Sequence, residues 1–228
     1  GESNDASNTL RFVQFSSPNV RITGGSVWWT PFGSGILEQP DTSPSSENTF
    51  EFFGGTSFVE NMTWRDLVID GFPKGGDDVT QPDDAGIRYA KTHWDHVLVR
   101  NYGGADGDDN FLVHGDFTCA HSHIESQRRY QSHGFYVALD RYNVAFIDDT
   151  FRNCGDTGSN SSIKMSGSSG DQRNRSVIGC RFFDCGDMRL GDLSDSPDGF
   201  YFTICGNQFD TCGLQVIEAN WVAINGNT

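Results

Sequence analysis

Carboxylates recur just before a short apolar strand at regular steps along this chain. Asp83 and Asp84 precede Ile87, Asp108 and Asp109 precede Phe111, and His133 precedes Gly134-Phe135. One repeat later, Lys164 follows Ser162-Ile163. If each step is one coil of a stack, neighbouring carboxylates stand ~5–10 Å apart, the range used by retaining and inverting glycosidases. Crowding of like charges raises the pKa of one carboxyl and makes it an acid.

A second set of residues is basic. First strands are expected to begin near Ile87, Phe111, Phe135, Ile163, Met188 and Leu214. With the first residue inward, alternation puts Ile87, Phe111, Phe135 and Ile163 inside, with Tyr89, Val113, Val137 and Met165. The outward column then reads Arg11, Glu51, Arg88, Leu112, Tyr136, Lys164, Arg189, Gln215. Four of these eight are basic, in a chain where 16 of 228 residues are. Such a column suits an anionic glycan: its carboxylates or sulfates meet the cations and a sugar face meets the Tyr ring. Arg88, Tyr136, Lys164 and Arg189 are the substrate-binding candidates. The competing expectation is that these charges pair with the Asp-rich loops beside them.

What must position both sets is a repeat. Phe151-Arg152-Asn153-Cys154-Gly155 returns as Phe182-Phe183-Asp184-Cys185-Gly186 and as Phe209-Asp210-Thr211-Cys212-Gly213, at steps of 31 and 27 residues. A unit this short cannot bury its own apolar face, so the copies must stack. Each is preceded by apolar alternation: Val144 and Phe146, Val177, Phe202 and Ile204. The later strands are expected to pass through Trp94, Cys119, Phe146, Val177, Ile204 and Ile224. Earlier, Leu10 to Phe15 alternates and leads through a corner into Val20-Arg21-Ile22. Pro31, Pro40 and Pro44, with Ser/Thr between, predict a projecting loop over 29–48. Strands resume at Phe50-Glu51-Phe52 and at Trp64 to Asp70. No segment carries a helical period over three turns. The expected fold is all-β, a single domain over 1–228 of about eight rungs of three short strands.

Phrases such as Asn19-Val20-Arg21-Ile22-Thr23-Gly24 and Asn220-Trp221-Val222-Ala223-Ile224-Asn225-Gly226-Asn227 resemble the rungs of the right-handed, single-stranded parallel β-helix, the pectate-lyase-like superfamily. The resemblance covers nearly the whole chain and implies a fold, not an activity. The order Asp, Asp-Asp, His-Gly, Ile-Lys on successive rungs also resembles the polygalacturonase-type glycoside hydrolases. That resemblance implies Asp84, Asp108 and Asp109 as catalytic carboxylates, His133 as their supporting histidine and Lys164 as a uronate anchor. The chain departs from the pattern at Ser162, where the family has Arg, at Ser132, where it has Gly, and at Ala85, which separates Asp84 from Gly86. A lyase on the same fold would need a base beside a bound cation, a role open to Lys164, Arg189 or His133.

Composition adds a setting. There are 24 Asp but 7 Glu, 13 Arg but 3 Lys, and a net charge of −15. This resembles haloarchaeal or haloarchaeal-virus proteins, whose self-repulsion is screened in high salt. No apolar run reaches membrane-span length, so membrane insertion is not expected, nor is a nucleic-acid partner for so acidic a body. Three sequons begin at Asn61, Asn160 and Asn174 and fit an extracellular, cell-surface or virion-surface location. Cys154, Cys185 and Cys212 share one repeat position and are expected to stack as buried thiols. His93, His96, His114, His121 and His123 are spread over the rungs, and His121-x-His123 lacks a third ligand in sequence, so no metal is assigned. The Lys74–Asp84 loop carries four Asp and could hold Ca²⁺, although hydrated surface is its simpler role. Neither end carries a capping helix, which points to a homo-oligomer or larger assembly through open β-helix ends. Three functions follow: a glycan-engaging surface module of a spike, turret or adhesin, a polysaccharide hydrolase or lyase, and a structural spacer.

Overall fold

The computed structural model describes residues 3–4, 10–14, 21–23, 35–38, 50–53, 59–70, 85–88, 90–102, 111–114, 116–126, 133–137, 143–155, 161–166, 173–191, 200–217 and 221–228. Among these residues there are strands and no helix. The strands build a parallel β-solenoid from two sheets. A nine-stranded sheet runs in space as Ser3–Asn4, Leu10–Gln14, Phe50–Phe53, Ala85–Arg88, Phe111–His114, Phe135–Val137, Ile163–Met165, Met188–Leu190 and Leu214–Val216. Spatial order equals chain order, as stacking of successive coils requires. Every pairing in it is parallel except the first.

The thirteen-stranded sheet takes the rest of each coil. In the later coils it contributes two strands separated by a corner: Phe117–Ala120 with His123–Ser126, Val144–Ile147 with Thr150–Arg152, Arg173–Ile178 with Arg181–Phe183, and Phe200–Cys205 with Gln208–Asp210. In the earlier coils Val59–Asp70 and Ala90–Tyr102 run through that corner as single long strands.

The corner has one backbone rule. Its apex residue takes positive φ in each coil whose apex is among the described residues: Asp66 54°, His96 55°, His121 51°, Asp148 54°, then Gly179 70°, Gly206 67° and Gly226 63°. Gly adopts this conformation freely, and Asp and His are among the side chains that tolerate it best. In four of these coils the next residue is polar, turns inward and accepts from the coil before it. Ser122 Oγ accepts the Val97 N–H at 3.0 Å, Asp149 Oδ1 accepts the Ser122 N–H at 2.8 Å, Asn207 Oδ1 accepts the Cys180 N–H at 2.9 Å, and Asn227 Oδ1 accepts the Asn207 N–H at 2.8 Å. These buried N–H groups have no strand partner at the bend, so the inward side chain supplies one.

Between the sheets lies the core. Ile22, Trp64, Trp94, Cys119, Phe146, Val177, Ile204 and Ile224 pair in one register column. The later six of these are the residues the sequence put there. Phe135 of the first sheet meets Phe146 and Phe117 of the second at ring distances of 5.0 and 5.6 Å. Phe151, Phe182 and Phe209 form a stack with centroids 4.9 Å apart and planes within 6° and 8°. That distance is the strand spacing itself, so the rings repeat with the backbone. Cys154 and Cys185 are buried and Cys212 is partly buried, and all six cysteines are free thiols. The Phe-x-x-Cys-Gly repeat therefore encodes a ring stack and a thiol stack around a second corner, where Asn153, Asp184 and Thr211 have positive φ.

Two expectations are corrected. The strand expected near Ile87 begins at Ala85, because Ala85 pairs with Phe111 and Ile87 with Val113. Gly86 has no side chain, so the alternation that fixed the other strands was not visible there. The loop expected over 29–48 contains a strand, Gly35–Glu38, in register with Leu67–Asp70. Its apolar pair Ile36-Leu37 was outweighed in the sequence by the surrounding prolines. The remainder of that loop lies outside the described residues.

Candidate functional site

The outer face of the nine-stranded sheet is built by alternation. On Phe135–Val137, Ile163–Met165 and Met188–Leu190 the outer two residues are fully buried, while Tyr136, Lys164 and Arg189 between them are partly exposed. Tyr136 pairs with Lys164, Lys164 with Arg189 and Arg189 with Gln215, so the four share one column on consecutive coils. Lys164 Nζ stands 4.7 Å from the centre of the Tyr136 ring, a cation–π distance. The buried Ser166 hydroxyl donates to Tyr136 Oη at 2.8 Å and fixes the ring. Arg189 Nε is sheltered and has no hydrogen-bond partner among the described residues. Asp187 accepts the Gly213 N–H at 2.7 Å through Oδ1 and the Gln215 amide at 2.7 Å through Oδ2, which ties two coils together.

Arg88 is not in that column. Tyr136 pairs with Leu112, Leu112 with Gly86 and Gly86 with Glu51, whereas Arg88 pairs with His114. The two-residue offset follows from the earlier strand start at Ala85. Arg11 lies on Leu10–Gln14, where an irregularity between Leu10 and Val13 interrupts the register with Phe50–Phe53.

Of the catalytic candidates, Asp84, Asp108 and Asp109 lie outside the described residues. His133 is 8% exposed, and its Nδ1 accepts the Ser161 N–H at 2.8 Å. The ring is 5.8 Å from that of Tyr136. His133 thus holds the start of the next coil. Gly134 beside it is set by packing: a Cβ there would fall 2.4 Å from the Ser162 carbonyl oxygen and 3.0 Å from Cys154 Cβ. The His-Gly pair has a structural reason independent of catalysis. Ser162, which stands where the hydrolase pattern has Arg, is fully buried with no partner for its hydroxyl among the described residues.

A different cluster forms at the first corner. Asp95 Oδ1 lies 2.8 Å from His96 Nδ1 and 3.0 Å from His121 Nδ1. The two imidazole centroids are 5.1 Å apart. Arg65 Nε stands 3.1 Å from Asp95 Oδ2, on the side away from the histidines. Burial alone would raise the Asp95 carboxyl, but hydrogen bonds from His121 and His96, with the charges of His96 and Arg65, outweigh it and hold the group below its ordinary value. His123 is not part of this cluster. Its Nε2 faces Glu125 at 3.5 Å, and burial, its largest influence, lowers its pKa. His121 therefore has two neighbouring ligand-type groups, supplied by the adjacent coil, that the His121-x-His123 spacing could not reveal. The one sequence signal was His at two successive corner apices, legible only once Ala120 is paired with Asp95.

Among the described residues, the interior holds two ionisable residues that sequence reading missed, Arg175 and Asp149. Arg175 is fully buried in register with Val144 and Phe202, and its Nη1 donates to the Ser166 carbonyl at 3.2 Å. Asp149 is fully buried in the corner ladder, and its pKa is pushed up to about 7, chiefly by burial. Comparison with protein-family models, with curated proteins and with solved structures found no match for this chain.

Proposed function

We propose that this protein is an extracellular or virion-surface β-solenoid module that binds anionic polysaccharide along the outer face of its nine-stranded sheet. The observation that carries this reading is the column Tyr136–Lys164–Arg189, outward and partly exposed on consecutive coils, with an ammonium over an aromatic ring. Core packing does not explain cations at these positions, because their strand neighbours already fill the core. Two coil steps span roughly 10 Å, the reach of a disaccharide. Carboxylate or sulfate groups on one sugar or on neighbouring sugars would meet Lys164 and Arg189, one coil step apart, and the face of the adjoining sugar would lie near Tyr136 at the end of the column.

The test is retention on immobilised heparin and polygalacturonate, with dextran as the neutral control. The Lys164→Ala/Arg189→Ala double variant is expected to melt like the parent and to lose retention on both anionic matrices. A folded double variant with unchanged retention would move the reading to a structural spacer. A reducing-end assay on the same polysaccharides separates binding from cleavage.

A further inference from the structure

We propose that Asp95, His96 and His121 form a binding site for a divalent first-row transition-metal ion, with Zn²⁺ as the reference case, that links two adjacent coils at the corner. Asp95 and His96 lie on one coil and His121 on the next. Each offers one ligand atom, and the three atoms lie within 4.8 Å of one another. Donors held 2.0–2.2 Å from one ion stand about 3 Å apart around an octahedral centre and about 3.4 Å apart around a tetrahedral one. The Oδ1-to-Nδ1 distances of 2.8 and 3.0 Å are thus within a few tenths of an ångström of ligand spacing. The His96 and His121 side chains are 41% and 50% exposed, so small rotations are open to both and the ion has a path from solvent.

Donor chemistry selects the ion. Two imidazoles and one carboxylate suit Zn²⁺, Co²⁺, Ni²⁺ or Cu²⁺, whereas Ca²⁺ and Mg²⁺ require mostly oxygen. The ion takes the place of the protons that the two Nδ1 atoms share with Oδ1, and each neutral ring then carries its proton on Nε2. Arg65, beside Oδ2, leaves Oδ1 facing the histidines and acts as an outer partner of the carboxylate. Three protein ligands leave at least one position open to water or to a ligand atom from solution. His96 and His121 occupy successive positive-φ apices, between Asp66 and Asp148 on the coils before and after, and this puts their rings side by side, 5.1 Å apart.

The test is calorimetric and thermal titration of the EDTA-stripped full chain at fixed ionic strength. Zn²⁺ is expected to bind one per chain at this site and to raise the melting temperature, with EDTA reversing the shift. Ca²⁺ and Mg²⁺ at equal concentration should not shift it. Co²⁺ should give visible d–d absorption. His96→Asn and His121→Asn are the variants of choice, because Asn tolerates positive φ and preserves the corner. Each should weaken Zn²⁺ binding at least tenfold and abolish the Co²⁺ spectrum, with the metal-free melting temperature close to that of the parent. His123→Asn should leave binding unchanged. Equal binding in parent and Asn variants would assign the ion elsewhere, for instance to the thiols that both variants retain, and would overturn the proposal. So would an equal shift from Ca²⁺, or no Zn²⁺ binding at all.

Discussion

Phe182 shows how much one residue of the repeat contributes. Its ring is fully buried and lies between Phe151 and Phe209, each 4.9 Å away and nearly parallel to it. Removing it takes away apolar burial and leaves a cavity that two flanking rings, each fixed to its own strand, cannot close. Phe182→Ala is expected to destabilise the protein by ~3–5 kcal/mol, read from urea unfolding. A loss below about 1 kcal/mol would mean that the stack collapses around the gap. Gly134 belongs to the same scale. It is tied to the Ser162 carbonyl by close approach, so its place beside His133 cannot be taken as a catalytic signature.

At the scale of the element, the inward corner ladder determines pH behaviour. Asp149 occupies a position where later coils use Asn207 and Asn227, whose amides also donate to the Val177 and Ile204 carbonyls at 2.8 and 3.1 Å. A carboxylate accepts the Ser122 and Ile147 N–H groups at 2.8 and 3.2 Å but, ionised, donates nothing. Its folded pKa is raised from 3.8 to about 7, so between these values the native chain holds a proton that the unfolded chain has lost. Stability from this group is therefore highest below about pH 4, falls as pH rises to about 7 and is flat above, an effect of up to roughly 4 kcal/mol. Asp149→Asn is expected to flatten this slope and to raise stability at pH 8. Denaturant melts at pH 5 and pH 8 check it, and a parent chain without the fall would remove the claim.

At the scale of the molecule, charge opposes the stack. A net charge of −15 sits on a 228-residue body, with Asp runs within 77–84, 106–109 and 192–198. The screening length is about 10 Å at 0.1 M salt and about 3 Å at 1 M, so repulsion between such runs largely disappears in molar salt. The melting temperature is expected to rise with NaCl between these concentrations. Calorimetric melts that do not depend on NaCl would remove the halophile reading. The coil Trp221–Asn225 shows what stacking provides. Ile224 continues the core column beyond fully buried Ile204 yet is 52% exposed, since no described strand lies over it.

The sequence by itself determined the solenoid, most strand starts and the register column through Trp94, Cys119, Phe146, Val177, Ile204 and Ile224. It could do so because alternation has period 2 and the Phe-x-x-Cys-Gly unit fixes the phase of the three coils that carry it. It also placed Tyr136, Lys164 and Arg189 outward, since burying them would have turned their apolar neighbours into solvent. Phase was lost at Gly86, where no side chain reports a face, and Arg88 left the column for that reason. Only tertiary structure decided which corner residues meet. Asp95 and His121 are 26 residues apart, and nothing in either coil alone says that their apices are level. The same holds for Asp149, whose burial depends on the coils above and below it. Local period fixes which way a side chain points, but contact between coils depends on loop lengths that vary from one coil to the next.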